Sequence, residues 1–251
     1  MTTIILTGCC GRMGRVITQL AKEDPEIAIA AGIDVVSEPG SSYPVYQSFD
    51  EVKETADVIV DFSSPKAFDA MMDYALEHQL PVVVCTTGLS EEQIARIEED
   101  AKKIAVLRSA NMSIGVNLLL KLVKEAAAKL APEGFDIEIV ERHHNQKKDA
   151  PSGTALALAE SIYEGLENAY EYTFDRSRRL EKRREKEIGI SAVRGGNIPG
   201  THEVIFAGTD ELVEFHHVAY SRSIFGKGAL AAAKYLAGKS AGRYTMADVI
   251  G

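Results

Sequence analysis

"TIILTGCCGRMGRVITQLAKE", residues 3–23, runs from a short apolar stretch through three glycines into a segment with helical spacing over 11–22. Glycines at 8, 11 and 14 allow a backbone to approach a pyrophosphate closely, and the start of the following helix offers N–H groups and its positive dipole end to that anion. The pattern is G-x-x-G-x-x-G, not the commoner G-x-G-x-x-G, and glycine turns also occur without ligands. Asp34 sharpens the reading: it stands about 20 residues after Gly14, at the end of the next apolar run, where an acidic side chain hydrogen-bonds adenosine ribose hydroxyls. A dinucleotide is therefore expected. Asp34 is followed by Val35 and Val36 and not by a basic residue, so NADH should be accepted at least as well as NADPH, although Arg12 could hold a 2′-phosphate.

The same alternation continues outward. "IAIAAGID", "ADVIVDF", "PVVVCTTG" and "IAVLRSAN" alternate with helical spacing over 66–79 and 90–102. Strands this apolar must be covered on both faces, which predicts a Rossmann-like, doubly wound parallel sheet. In such a sheet ligands lie beyond the carboxyl ends of the strands, so "CTTG" (85–88) and "SANMS" (109–113) should face the nicotinamide half of the cofactor. After a helix over 116–130 the pattern changes. Alternating stretches at 135–142, 188–194, 202–208 and 211–219, with a helix at 153–166, predict a second α+β domain with a mixed or antiparallel sheet. The tail from 226 returns to helical spacing. The expected division is a dinucleotide-binding domain of residues 1–114 and 226–251 and a substrate-binding and oligomerisation domain of residues 115–225, with hinges near Ile114–Val116 and Phe225–Gly226.

Composition narrows the function classes. A net charge of -9 argues against nucleic acid, whose binding depends on neutralising phosphates. No apolar run approaches the length of a membrane span, and the first residues lack a signal peptide's basic start, so a cytoplasmic location is expected. Cys9, Cys10 and Cys85 give neither a disulfide framework nor a metal-ligand spacing, and His78, His202, His216 and His217 add none, so no metal is expected. The run "DRSRRLEKRREKE" before the strand at 188 reads first as a solvated charged loop, the alternative being a mobile loop that draws in an anionic substrate.

"VERHHNQKKDAPSGTA", residues 140–155, concentrates polar chemistry after an apolar strand. His143 with Lys147 offers a proton donor beside a cation, and Ser152, Gly153 and Thr154 open a helix whose N–H groups and hydroxyls suit a carboxylate. The bland alternative is a capped helix after a surface loop, with structural histidines. The first alternative predicts an anionic substrate.

In order and separation, "GCCGRMG", "VVVCTTG", "SANMSIGVN", "ERHHNQKKDAPSGTA" and "HHVAYSRSIFGKGAL" resemble the dihydrodipicolinate reductase family over essentially the whole chain. The resemblance implies a homotetrameric, two-domain enzyme of diaminopimelate and lysine biosynthesis that uses NADH, NADPH or both on a cyclic dicarboxylate. It implies cofactor contacts at Gly8, Cys9, Cys10, Gly11, Arg12, Met13, Asp34, Cys85, Thr86, Thr87, Ser109, Ala110, Asn111 and Met112. It also implies proton transfer by His143 and Lys147, and substrate carboxylates held by His144, Gly153 and Thr154 beside Ser152. Three departures bear on the cofactor: Cys85 stands where glycine is expected, Met112 where phenylalanine is usual, and Ser64 where some members have arginine. Another two-domain dehydrogenase and a nucleotide sensor without turnover are the competing readings.

Overall fold

The structure, a computed structural model, describes residues 1–36, 40–109, 111–166, 170–174, 176–177 and 179–251. They form two compact units, Met1–Ile114 with Arg222–Gly251, and Gly115–Ser221. The chain begins with β1 (Thr2–Thr7), α1 (Arg12–Glu23), β2 (Ile27–Ile33), β3 (Val45–Tyr46), β4 (Val58–Asp61), α2 (Pro65–Glu77), β5 (Val82–Val84), α3 (Glu91–Asp100) and β6 (Ala105–Arg108). There follow α4 (Ile114–Leu130), β7 (Asp136–His143), α5 (Gly153–Gly165), β8 (Glu171–Thr173), β9 (Glu187–Arg194), β10 (Gly200–Ala207) and β11 (Leu212–Ala219). The chain closes with α6 (Ser223–Leu236), β12 (Gly242–Tyr244) and α7 (Met246–Ile250).

The first unit is built on a parallel sheet of order β12-β6-β5-β4-β1-β2-β3. Successive strand residues point to opposite faces, and each face here has its own core. Ile4, Leu6, Val58, Val60, Val83 and Leu107 pack into one, with Ile17 of α1 and Leu230 and Ala233 of α6. Ile5, Ile59, Val82, Val84 and Val106 pack into the other, with Phe68, Met71 and Met72 of α2 and Ile97 of α3. This is why the strands carry consecutive apolar residues, and it is the doubly wound fold that the opening stretch predicts. The strand order reverses at β1 and β4, so the loops after them flank the crevice where such sheets bind ligands.

The tail departs from the expected helix. After α6 the chain turns through Gly238 at φ +76°, and Gly242–Tyr244 pairs with the otherwise open edge of β6. The unsatisfied backbone groups of that edge outweigh a helical pattern only a few residues long. Phe225–Gly226 lies inside α6, and a side chain at Gly226 would press on Leu20 and Val16 of α1, so this glycine serves helix packing.

The second unit has a mixed sheet of order β11-β10-β7-β9-β8, with β7 antiparallel to β10 and parallel to β9. Ile137, Ile139, Ile188, Ile190, Val204 and Phe206 form one face, covered by Leu119, Val123 and Ala127 of α4 and by Leu158, Ala159 and Ile162 of α5. The opposite face carries polar and charged groups, among them Glu138, Arg142, Glu203 and His216. The charged run before β9 is not simply a solvated loop. Arg176 bonds Glu138 and Glu187, Arg179 bonds Glu187, and Arg183 bonds Asp136 and Glu138. Glu187 is buried, and a buried carboxylate requires paired cations, so the arginines fold back onto the strands.

Candidate active site and dinucleotide turn

In the second unit the site begins with strand alternation. β7 sends Ile137, Ile139, Glu141 and His143 to the helix-covered face, so Glu141 is fully buried although it lies only two residues before the exposed loop. Its carboxylate is the organising group. Arg194, paired beside His143 on β9, donates two hydrogen bonds of 2.7 Å to its two oxygens. The backbone N–H of Ser152 donates to Oε1 at 2.9 Å, and His143 Nδ1 lies 2.6 Å from Oε2. Burial opposes charge on Glu141, but the bonds from Arg194, His143 and Ser152 outweigh it and hold its pKa below the ordinary value. An ionised carboxylate only accepts, so Nδ1 carries a proton and Nε2 is the working nitrogen of His143. That nitrogen faces Gly200, where a side-chain carbon would come within 3.0 Å of it.

Burial lowers the His143 pKa, against the raising effect of the Glu141 bond and charge. His202, directly opposite Glu141 on β10, sits edge-on to His143 with ring centroids 5.2 Å apart. Its Nε2 is 2.8 Å from Ser152 Oγ, and Ser152 Oγ also accepts from Ala155 N at 3.1 Å, capping α5. Ser152 is thereby buried and engaged in holding the helix start to the histidine pair. Gly153 is exposed with open space beside it, and Thr154 is half-buried. Lys147 pairs with Asp149 at 2.9 Å, and its backbone N–H donates to the carbonyl of His144, which is half-buried. The loop reaches α5 through a cis Ala150–Pro151 bond.

Glu141, Arg194 and His202 were not among the expected site residues. Glu141 had a signal, since it shares a face with His143 at i, i+2. Arg194 and His202 had none, because pairing of β7 with β9 and β10 brings them in. Burial, and then the charges of His143 and His217, push the His202 pKa down to about 4. The unfolded chain binds a proton near pH 6.5 that the folded chain refuses until about pH 4, so stability should rise with pH across that window. The expected loss between pH 7 and pH 4.5 from this histidine is about 2–3 kcal/mol, read by urea unfolding at each pH. A pH-independent midpoint would show that His202 is not held neutral by burial.

In the first unit Gly8 ends β1 with φ +71°, a conformation open chiefly to glycine. A side chain there would overlap Phe62 O beyond β4, and one at Gly14 would overlap the carbonyls of Gly8 and Cys9. The turn is thus pressed against its own helix and against the loop after β4. Asp34 follows β2 and accepts from Cys10 N at 2.9 Å, so the acidic residue stands beside the turn. Gly11 and Arg12 are exposed and Met13 half-exposed at the start of α1, while Cys9 is buried and Cys10 half-buried. After β5, Cys85 is a small core residue whose thiol is pushed well up by burial and by Asp61, Thr86 is buried, and Thr87 is exposed. Ser109 and Asn111 tie their own turn, Ser109 Oγ lying 2.7 Å from Asn111 O, and Met112 is buried in the core. Ala110 lies outside the described residues. Ser64 takes the N-cap position of α2.

These residues fit a dinucleotide. Gly8 and Gly14 let the turn close against α1 and the loop after β4 while Gly11 and Arg12 stay exposed at the helix start, and two buried oxygens near the strand ends, Thr86 Oγ1 and Asp61 Oδ2, have no partner among the described residues.

Residues 2–112 match the family model described as dihydrodipicolinate reductase, N-terminus, and residues 115–250 match dihydrodipicolinate reductase, C-terminus. A 4-hydroxy-tetrahydrodipicolinate reductase of Caldanaerobacter subterraneus subsp. tengcongensis is 52% identical, covering 100% of this chain and 98% of its own. One from Clostridium novyi is 49% identical with the same coverage. The fold is similar to that of a dipicolinate-bound dihydrodipicolinate reductase from Paenisporosarcina sp. TG-14, with a TM-score of 0.85, 24% identity and full coverage of both chains. A probable dehydrogenase from Thermotoga maritima shares the fold more distantly, with a TM-score of 0.63 at 12% identity, 99% of this chain and 92% of that one being covered. The chain belongs to the dihydrodipicolinate reductase family, whose activity is the NAD(P)H-dependent reduction of 4-hydroxy-tetrahydrodipicolinate to tetrahydrodipicolinate in diaminopimelate and lysine biosynthesis.

Proposed function

We propose that in this reaction His143 is the proton donor, positioned by Glu141 and Arg194, and that the start of α5 with Lys147 binds a substrate carboxylate. The carrying observation is the buried Glu141, which holds both His143 Nδ1 and the N–H of Ser152 and so sets the proton donor and the helix terminus in one frame. Bound NAD(P)H supplies the hydride. Substrate and product differ by a hydroxyl replaced with hydrogen, so one proton is consumed and water leaves; His143 Nε2 supplies that proton directly or through a water it orients. Binding of an anionic ring raises the low pKa of His143 where the proton is needed. Gly153 and Thr154 present the helix terminus to the carboxylate, with His144 beside them, while Ser152 keeps His202 and the helix in place. Lys147 exchanges Asp149 for the substrate and adds positive charge, or a proton. The ligand in the Paenisporosarcina structure, dipicolinate, is a planar dicarboxylate of the kind this arrangement suits.

In the first unit, Gly8–Met13 cradle the pyrophosphate and Asp34 takes the ribose hydroxyls; Cys85–Thr87 and Ser109–Met112 border the nicotinamide, with Thr86 Oγ1 available as a polar contact. The departures at Cys85 and Met112 are both core side chains, so their contacts with the cofactor are through backbone. The protein works in the cytoplasm: its three cysteines are outside disulfides, and no helix among the described residues is long and apolar enough to cross a membrane. Four copies assemble through the sheet face opposite α4 and α5, where Val193 and Val218 are 44% and 39% exposed. Light scattering that gave the mass of one chain would overturn the tetramer.

The experiment is loss of absorbance from NADH and, separately, NADPH, with substrate generated by condensing pyruvate with aspartate semialdehyde. Oxidation dependent on that substrate is expected with both, NADH being used at least as well. Asp34→Ala should raise KM for NADH about tenfold, the loss of one charge-assisted hydrogen bond, and leave kcat little changed. A far higher kcat/KM with NADPH, together with unchanged NADH use by Asp34→Ala, would remove Asp34 from the ribose site.

A further inference from the structure

We propose that Cys9, Cys10 and Asp34 form a binding site for a soft divalent cation, zinc being the probe, and that this site overlaps the dinucleotide turn. The overlap rests on the reading that the turn holds NAD(P)H; the cation site itself does not.

The geometry comes from the fold. Adjacent cysteines carry no metal-ligand spacing by themselves, but the turn places their sulfurs 3.8 Å apart. Two thiolates on a tetrahedral zinc, with bonds of about 2.3 Å, also lie about 3.8 Å apart. The end of β2 then brings in a third donor: ligand atoms of Cys9, Cys10 and Asp34 all lie within 4.8 Å of one another. The arrangement is held by backbone, since Gly8 N donates to Ile33 O at 2.8 Å, Gly11 N to Gly8 O at 3.1 Å and Cys10 N to Asp34 at 2.9 Å. Access exists from the protein surface. Cys9 lines a cavity of about 280 Å³ together with Arg15, Thr18, Ser41 and Tyr43, and Cys10 is half-buried.

Soft sulfur donors select zinc or cadmium over magnesium and calcium, and water completes the fourth position. A cysteine binds a metal as its thiolate, so the cation must displace the proton of each thiol. Each cation bound releases two protons to solvent, one from each thiol, with no change of oxidation state. A bound cation takes Asp34 from the ribose and occupies the turn, so zinc and NADH exclude one another. A second cluster, Glu203, Glu214 and His216, is weaker ground, because Arg142 already bonds Glu203 at 2.7 Å.

The test titrates zinc into the metal-free full-length protein against a chromophoric chelator in weak buffer. Expected are one zinc per chain, two protons released per zinc, and at least about tenfold weaker binding in Cys10→Ser. Added NADH at about 100 times its Kd should weaken apparent zinc affinity about 100-fold. Should Cys9→Ser fail to fold, Cys10→Ser and Asp34→Asn carry the comparison. Unchanged zinc affinity in both overturns the site. Zinc that binds normally while NADH, shown by fluorescence to be bound, has no effect overturns the overlap. NADH that does not bind at all sinks the dinucleotide reading and with it the overlap, while normal zinc binding in the same sample leaves the cation site standing.

Discussion

His143→Gln is expected to lower kcat by about 10²–10⁴-fold, the range supplied by a positioned general acid, with a far smaller change in KM. Glutamine keeps the size of the side chain and a bond toward Glu141 but cannot deliver a proton. The wild-type pH profile carries a second signature. In the free enzyme burial lowers the His143 pKa, so kcat/KM should fall as pH rises through a value below the ordinary histidine range. In the complex the anionic substrate raises that pKa, and kcat should hold to higher pH. The variant should lose this limb from both profiles. An unchanged kcat would remove His143 from the chemistry, and a lost kcat with an unshifted limb would assign the titration to another group.

Gly228→Ala should destabilise the first unit by about 3 kcal/mol, the upper end for over-packing, despite a helix-propensity gain of about 1 kcal/mol. A methyl group at this buried position of α6 would overlap the carbonyl oxygen of Met112. The methyl is fixed rigidly to the backbone of α6 and the oxygen it meets is backbone, so no rotamer change relieves the clash; α6 or the turn at Asn111 and Met112 must move. Thermal unfolding should fall by about 6–12 °C for a chain of this length. The turn that moves is one proposed to border the nicotinamide, so KM for NADH should rise as well. A variant with wild-type melting and wild-type KM would show that α6 and the turn are not in the contact described.

Much of the fold was legible because the opening strands carry runs of consecutive apolar residues. Ile4, Ile5 and Leu6 can form such a run only if both faces of the sheet are covered, and the division of Ile4 and Leu6 from Ile5 between two cores is that requirement met. The edge strand Gly242–Tyr244 was not legible, because three residues carry no periodicity and the strand exists only where β6 offers an open edge. The charged run before β9 was misleading for a related reason. A sequence shows the charges of Arg176, Arg179 and Arg183 but not the burial of Glu187 that draws them in.

The candidate site divides along the same line. The sequence by itself determined the local chemistry: the glycine turn, the acidic residue after β2, His143 at a strand end with Lys147 in the loop that follows, and a helix start at Ser152–Thr154. These depend on neighbours within a few residues, where backbone geometry alone sets what can meet. Only the tertiary structure decided that Glu141 would be the buried anchor, that Arg194 and His202 would reach it from β9 and β10, and that Asp34 would stand beside the sulfurs of Cys9 and Cys10. Strand register makes these meetings. A shift of one residue would turn each side chain to the opposite face, and the hydrophobic cores of both units hold that register.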